Sequence, residues 1–135
     1  MTANTVYEGD LRTVATHHTS QSIIETDAPI DNQGKGERFS PTDLVATALG
    51  SCMLTVMGIK ARELGINMKD ATASIEKIMV TNPRRIGEIK VHIHFPNHIM
   101  VDEKQKIILE RTALHCPVHK SLHPDIIFDI VFNWA

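Results

Sequence analysis

Cysteine is scarce in this 135-residue chain, which holds only Cys52 and Cys116. Two cysteines cannot staple a secreted scaffold, and this pair is too far apart in sequence for a CxxC redox motif. An excess of charge is also missing: Lys+Arg 14 against Asp+Glu 16 gives a formal net charge of -2. The basic residues are dispersed, which excludes the positive stripe that nucleic-acid binding requires. The longest uncharged apolar run, from Leu44 to Ile59 between Asp43 and Lys60, is shorter than the roughly 20 residues of a membrane span. The opening Met1-Thr-Ala-Asn-Thr-Val lacks the basic stretch and apolar run of a secretory signal, so the expected location is the cytoplasm, where a disulfide would be functional. No internal repeat or low-complexity tract occurs. With 42% apolar and 22% charged residues, the composition is that of a folded chain, expected to form one domain over residues 1–135.

The local patterns alternate between strand and helix. Thr5–Glu8, Arg12–His17 and Ser22–Thr26 read as a small antiparallel meander, followed by a Gly- and Pro-punctuated loop over 27–39. At Ser40-Pro41-Thr42-Asp43, Ser40 can cap a helix, Pro41 suits its first position, and the charge of Asp43 is favoured by the helix dipole. This helix is expected to run to about Leu64, with Gly65 taking the left-handed conformation beyond it. Leu44, Val45, Ala48, Leu49, Val56, Met57 and Ile59 cover almost the whole circumference, which predicts a central, buried helix. Ala71–Thr81 and the strictly alternating Glu88–Phe95 read as a long hairpin. Asp102 and Gln105 make a capping pattern for a second helix from about Glu103. Cys116-Pro117 interrupts that helix and can open a short third one with Cys116 at its cap. Ile126, Phe128, Ile130, Phe132 and Trp134 alternate along a closing strand. The order predicts an α+β fold with antiparallel sheets around a central helix. The N-terminal meander has too few apolar side chains to close a core, which points to a dimer that shares sheets.

For Cys52, in the middle of an apolar helix, a packed small hydrophobe competes with a reactive thiol. For Cys116, a simple cap competes with a thiolate stabilised by the positive end of a helix and by His115 and His119. His115, His119 and His123 beside Cys116 raise a metal hypothesis, but Pro117 breaks their helical spacing and no second cluster completes a ligand set, so no metal is expected. His92 and His94 share a strand face with Lys90 and read as solvated. Arg12 and Arg38 are candidate thiolate partners, because a guanidinium keeps its charge and donates paired hydrogen bonds. Gly34-Lys-Gly36 lacks the spacing of a phosphate loop.

The run Gly34-Lys-Gly-Glu-Arg-Phe-Ser-Pro-Thr-Asp-Leu-Val-Ala-Thr-Ala-Leu-Gly-Ser-Cys52, followed by Leu114-His-Cys-Pro-Val-His-Lys-Ser-Leu122, resembles the OsmC/Ohr family, the osmotically inducible and organic hydroperoxide resistance proteins. Tyr7–Arg12, Thr26–Pro29 and the closing strand are similar to it too. The resemblance implies an intertwined homodimer with two-cysteine sites at the subunit interface. Cys52 would be the peroxidatic thiol and Cys116 the resolving one, in an oxidative-stress peroxidase. Arg12 would lower the thiol pKa and orient the peroxide, with Arg38 in reserve and Asp43 and His119 as supporting residues. The resemblance implies neither metal nor flavin, only an external thiol reductant of lipoyl or other dithiol type. One departure stands out: reductases of the family usually carry a glutamate directly after the helix proline, where it holds the arginine, and this chain has Thr42 there. Asp43 lies one residue on, about 100° around the helix. The chain therefore resembles the OsmC-like branch more than the dedicated hydroperoxide reductases.

An apolar wall of Leu49, Met53 and Val56 would favour organic hydroperoxides over hydrogen peroxide. The alternative is a non-enzymatic dimer binding a small apolar or thiol-reactive ligand at the subunit interface. A zinc-binding module is the third reading.

Overall fold

A computed structural model describes residues 1–135. Contacts divide the chain into two compact units, Met1–Val45 and Ala46–Ala135.

In the first unit, β1 (Ala3–Gly9), β2 (Arg12–His17) and β3 (Ile23–Asp27) form an antiparallel sheet in that order. The β1–β2 hairpin closes through Asp10 and Leu11, both at positive φ (52° and 63°), the backbone hand that matches strand twist in a two-residue hairpin. Arg12 is the first residue beyond that turn. The expected loop contains a short 3₁₀ turn, Ile30–Asn32, and folds back on β3: the Asp27 amide donates to the Phe39 carbonyl, and the Gly36 amide to the Ala28 carbonyl. The buried residues of this unit are polar: Thr26, Asp27 and Ser40. Val6, Tyr7, Ile23, Ile24 and Phe39 remain exposed.

The helix α1 (Pro41–Glu63) starts where the capping signals predicted. Asp43 N–H donates to Ser40 Oγ, and Ser40 N–H donates back to Asp43 Oδ2, both at 3.0 Å. Its end is a Schellman closure, with Gly65 at φ 71° and the Ile66 amide donating to the Ala61 carbonyl, so the last carbonyls are satisfied. By length and apolarity alone α1 could cross a membrane. Instead its stripe of Ala46, Leu49, Met53, Met57 and Ala61 is buried in the core of the second unit. The opposite stripe, Val45, Ala48, Ser51, Thr55 and Ile59, stays exposed, so in the single chain the helix is covered along one side and not all round.

The rest of that unit is a mixed sheet in the order β4 (Thr72–Val80), β5 (Arg85–Phe95), β6 (Ile127–Trp134), with α2 (Glu103–Leu114) and α3 (Pro117–Ser121) between β5 and β6. The alternation of β5 holds: Ile89, Val91, Ile93 and Phe95 are buried. β4 pairs antiparallel with β5, but β6 runs parallel to it, a departure from the all-antiparallel expectation. The reason is the helical crossover, which returns the chain to the end of the sheet where β5 began. Trp134 at the end of β6 stacks on Phe95 and donates to Glu110 Oε1 of α2 at 2.9 Å. Burial of each large side chain such as Leu49, Met53, Leu109 or Ile89 contributes about 1.5–3 kcal/mol. A Cβ on Gly50 would collide with the Ile75 side chain, so this glycine, two residues before the first cysteine, lets α1 lie close to β4.

Candidate active site

The second unit brings the two cysteines together. Cys52 lies mid-helix on α1, half-buried, and Cys116 caps α3, fully buried; both are free thiols. Cys116 Sγ accepts the His119 amide at 3.3 Å, with Pro117 at the first helical position as the sequence predicted. Burial pushes the Cys116 thiol above its ordinary pKa; the His119 amide pulls the other way, and the adjacent Cys52 side chain adds to the rise. The expectation of a thiolate stabilised at the start of α3 is thereby corrected. α3 is a five-residue helix whose dipole is short, and the cost of a charge in an apolar surround outweighs one amide donor.

His119 does not supply the missing positive charge. Burial lowers its pKa, with Lys120 and His115 acting in the same direction, so its imidazole is neutral at neutral pH. Its ring leans on Phe128 at 4.6 Å, and its Nδ1 is buried without a hydrogen-bond partner. His115 is turned away, with Nδ1 donating to the Arg111 carbonyl at 2.7 Å. His123 Nδ1 accepts the Asp125 amide. No three His, Cys, Asp or Glu side chains gather into a set that could hold a metal ion. The apolar wall expected beside the thiol is also reduced: Leu49 and Met53 are fully buried in the core, leaving Val56, one turn beyond Cys52, partly exposed.

The first unit contains a second arrangement, built on charge. Arg12 Nε donates to Asp27 Oδ1, and Arg12 Nη2 to Asp27 Oδ2, each at 2.8 Å. The two residues face each other in the β2–β3 register, and the Glu37 amide adds a third bond to Oδ2 at 3.1 Å. Asp27 is 1% exposed and Arg12 24%. The Arg12 hydrogen bond holds the carboxyl of Asp27 below its usual range despite burial, and Asp27 in turn raises the guanidinium pKa. Next along, the Thr13 and Thr26 hydroxyls are hydrogen-bonded. Arg12 lines an open cavity of about 380 Å³ together with Val14, Lys35, Glu8 and Glu25. Arg38, the reserve candidate, is differently placed: it is 44% exposed and paired with the half-exposed Glu25 at 2.8 Å. Asp43 serves the α1 cap, and Thr42 Oγ1 lies 3.2 Å from Ser40 Oγ.

Asp27, the buried partner of Arg12, was not singled out from the sequence. The signal was present in an acid closing one strand and an arginine opening its neighbour, but their pairing depends on the register across the His17–Ser22 turn.

Residues 34–131 match the family described as OsmC-like protein. The chain belongs to the OsmC-like family. A family structure from Psychrobacter arcticus 273-4, assigned provisionally to osmotic stress induction and detoxification response, is 51% identical, with a TM-score of 0.93 over 98% of this chain and 95% of that one. An organic hydroperoxide resistance protein of Legionella pneumophila shares the OsmC fold at 14% identity, TM-score 0.76, over 98% and 97% of the two chains. That of Bacillus subtilis does so at 16% identity, TM-score 0.64, over 100% and 98%. No curated protein matches the chain.

Proposed function

We propose that this OsmC-like protein is a thiol-dependent peroxidase that reduces organic hydroperoxides and contributes to oxidative-stress defence in the cytoplasm. The observation that carries the reading is the pair of free, adjacent thiols of unequal exposure, half-buried Cys52 against fully buried Cys116. The hydroperoxide-resistance names of structural relatives support it. The Cys52 thiolate attacks the terminal peroxide oxygen; the O–O bond breaks, the alkoxide leaves and takes a proton, and Cys52 becomes a sulfenic acid. The Cys116 sulfur then attacks the Cys52 sulfur, forming a disulfide, and the Cys116 proton leaves with the hydroxyl as water. An external dithiol of lipoyl type returns two electrons and two protons. Sulfur carries both electrons, so no metal or flavin takes part.

Arg12, by the family resemblance, is the cationic group proposed to meet the peroxide oxygens. Its side-on pairing with Asp27 leaves both Nη1 hydrogens and the outer Nη2 hydrogen unused. The working unit is a homodimer, supported by an N-terminal sheet that has no buried apolar residue and exposes Val6, Tyr7, Ile23 and Ile24, more than an isolated three-stranded sheet tolerates.

Intact-mass spectrometry of the reduced protein after one equivalent of cumene hydroperoxide tests the reading, with hydrogen peroxide in parallel. The expected result is loss of two hydrogens within one chain, faster with the organic peroxide. A mass that stays that of the free dithiol under excess oxidant would exclude the peroxidase and leave ligand binding at the same thiols.

A further inference from the structure

We infer that a cavity at the C-terminal end of α1 is a binding site for a small amphiphilic carboxylate, which lays its aliphatic tail along the helix and its head group between Arg62 and Lys69. The cavity measures about 500 Å³ and is open to solvent, a size within the range of small-molecule sites. It lies wholly in the second unit, and neither cysteine lines it. One wall is α1 itself, through Leu54, Gly58 and Arg62, which recur every four residues and so share a helix face. The other is the segment between α1 and β4, through Ile66, Met68 and Lys69.

Gly58 is the first sign of a ligand. Glycine inside a helix is less stable than alanine, so its presence there needs a use for the missing side chain. At Gly50 that use is internal, because a Cβ would strike Ile75; at Gly58 a Cβ would meet nothing within 4 Å. The bare backbone at Gly58 is instead the floor of the cavity, and the room it leaves serves something outside the chain. Charge is the second sign. No Asp or Glu lines the cavity. Glu63, beside Arg62 in sequence, is taken by Lys60 Nζ at 2.7 Å, while Arg62 and Lys69 enter no ion pair. The carbonyls at the end of α1 would repel an anion, but they are occupied: the Leu64 amide donates to the Lys60 carbonyl, that of Gly65 to Arg62 and that of Ile66 to Ala61. The planar guanidinium of Arg62 matches a carboxylate, and Lys69 adds a point charge beside it. Third, the wall opposite α1 is built in advance. The Lys69 amide donates to Asn67 Oδ1 at 3.0 Å, the Lys69 carbonyl accepts from His98 Nε2 at 3.0 Å, and the Ala71 amide donates to the Met68 carbonyl at 3.1 Å. A wall already held loses little freedom when a ligand arrives. Leu54, Ile66 and Met68 pack against the core with one side and remain partly exposed on the other. That side is the apolar surface for a tail, and the unbranched Met68 adapts to its shape.

The test titrates decanoate, below its micellar concentration, into the full-length reduced protein. Decyltrimethylammonium supplies the same tail with the opposite charge, and acetate the head group alone. Calorimetry gives the affinity, and NMR of backbone amides and of methionine and alanine methyl groups gives the place. One decanoate per chain is expected, moving the Met68 and Ala71 methyl signals and leaving the Cys52 and Cys116 amides still, with an affinity that falls as salt rises. The ammonium compound, acetate, and decanoate with the Arg62→Gln/Lys69→Gln double variant are each expected to bind at least about tenfold more weakly, as loss of charge-assisted hydrogen bonds or of the tail predicts. Gly58→Leu, which fills the floor, is expected to abolish binding with an unchanged circular dichroism spectrum. Absence of binding by the wild type, equal affinity for the ammonium compound, wild-type affinity in the double variant, or shifts centred on the thiols would overturn the inference. So would Met68 and Ala71 signals that move on dilution of the protein alone, because a second copy of the chain then occupies the cavity. If Gly58→Leu does not fold, the wild-type shift map and the double variant still decide. None of these readouts depends on peroxide chemistry, so failure of the peroxidase reading would leave the site standing.

Discussion

The two units of the chain protect opposite kinds of group. Ala46–Ala135 buries aliphatic and aromatic side chains around α1 and β5 and carries both thiols; Met1–Val45 buries Thr26, Asp27 and Ser40 and carries the clamped arginine. In the first case the surround penalises charge, and Cys116 answers by holding its proton. In the second the surround supplies donors, and Asp27 answers by giving its proton up. Burial alone thus says nothing about the direction of a pKa shift; the hydrogen bonds that accompany it decide.

The sharpest way to break this contrast is to remove the sulfurs. Cys52→Ser is expected to lower cumene hydroperoxide consumption by about 10³-fold or more, as loss of a nucleophile does, whereas Cys116→Ser retains one turnover and then stalls; stopped-flow consumption assays separate the two. Unchanged turnover in Cys52→Ser would move the chemistry out of the second unit.

Next comes packing. Leu49→Ala, in the buried stripe of α1, is expected to cost about 3 kcal/mol in urea unfolding. Ile23→Asp, on the N-terminal sheet where the side chain is 61% exposed, is expected to leave the circular dichroism spectrum intact and lower the mass seen by sedimentation from dimer to monomer. An unchanged dimer would remove the case for a partner on that sheet.

The smallest effects are in pH dependence, and they have opposite signs. Asp27, with a depressed folded-state pKa, stabilises the fold above its unfolded value near 4, and that contribution is lost as pH falls through the folded value. Cys116, with a raised one, stabilises below its unfolded value near 8.5, and that contribution is lost as pH rises. Thermal unfolding is therefore expected to flatten on the acid side in Asp27→Asn and on the alkaline side in Cys116→Ser. A flattening on the wrong side in either variant would contradict the assigned direction.

Much of this was legible in the residues. Ser40, Asp43 and Gly65 delimit α1 because caps and left-handed closures are local, and the alternation of β5 names its buried face without knowledge of any partner strand. Cys52 and Cys116 were singled out by the motifs around them. What escaped depends on contacts distant in sequence. The parallel pairing of β6 follows from where a crossover ends; the Arg12–Asp27 clamp follows from a register set by a turn; the raised thiol of Cys116 follows from how completely the surrounding core closes over it. The helical periodicity of α1 marked both of its sides as apolar, but only the packed unit decides which is covered. Likewise, proximity of His115 and His119 in sequence suggested a positive surround for Cys116, and ring orientation and burial undo it.

The cap of α3 has one more consequence. The sulfur that terminates the hydrogen bond from the His119 amide is also the atom assigned to resolve the sulfenic acid. Any change in that atom, whether deprotonation, alkylation or oxidation, alters the acceptor seen by a backbone amide at a fixed place in the fold. The His119 amide is accordingly a native gauge of the thiol, readable residue by residue without a label.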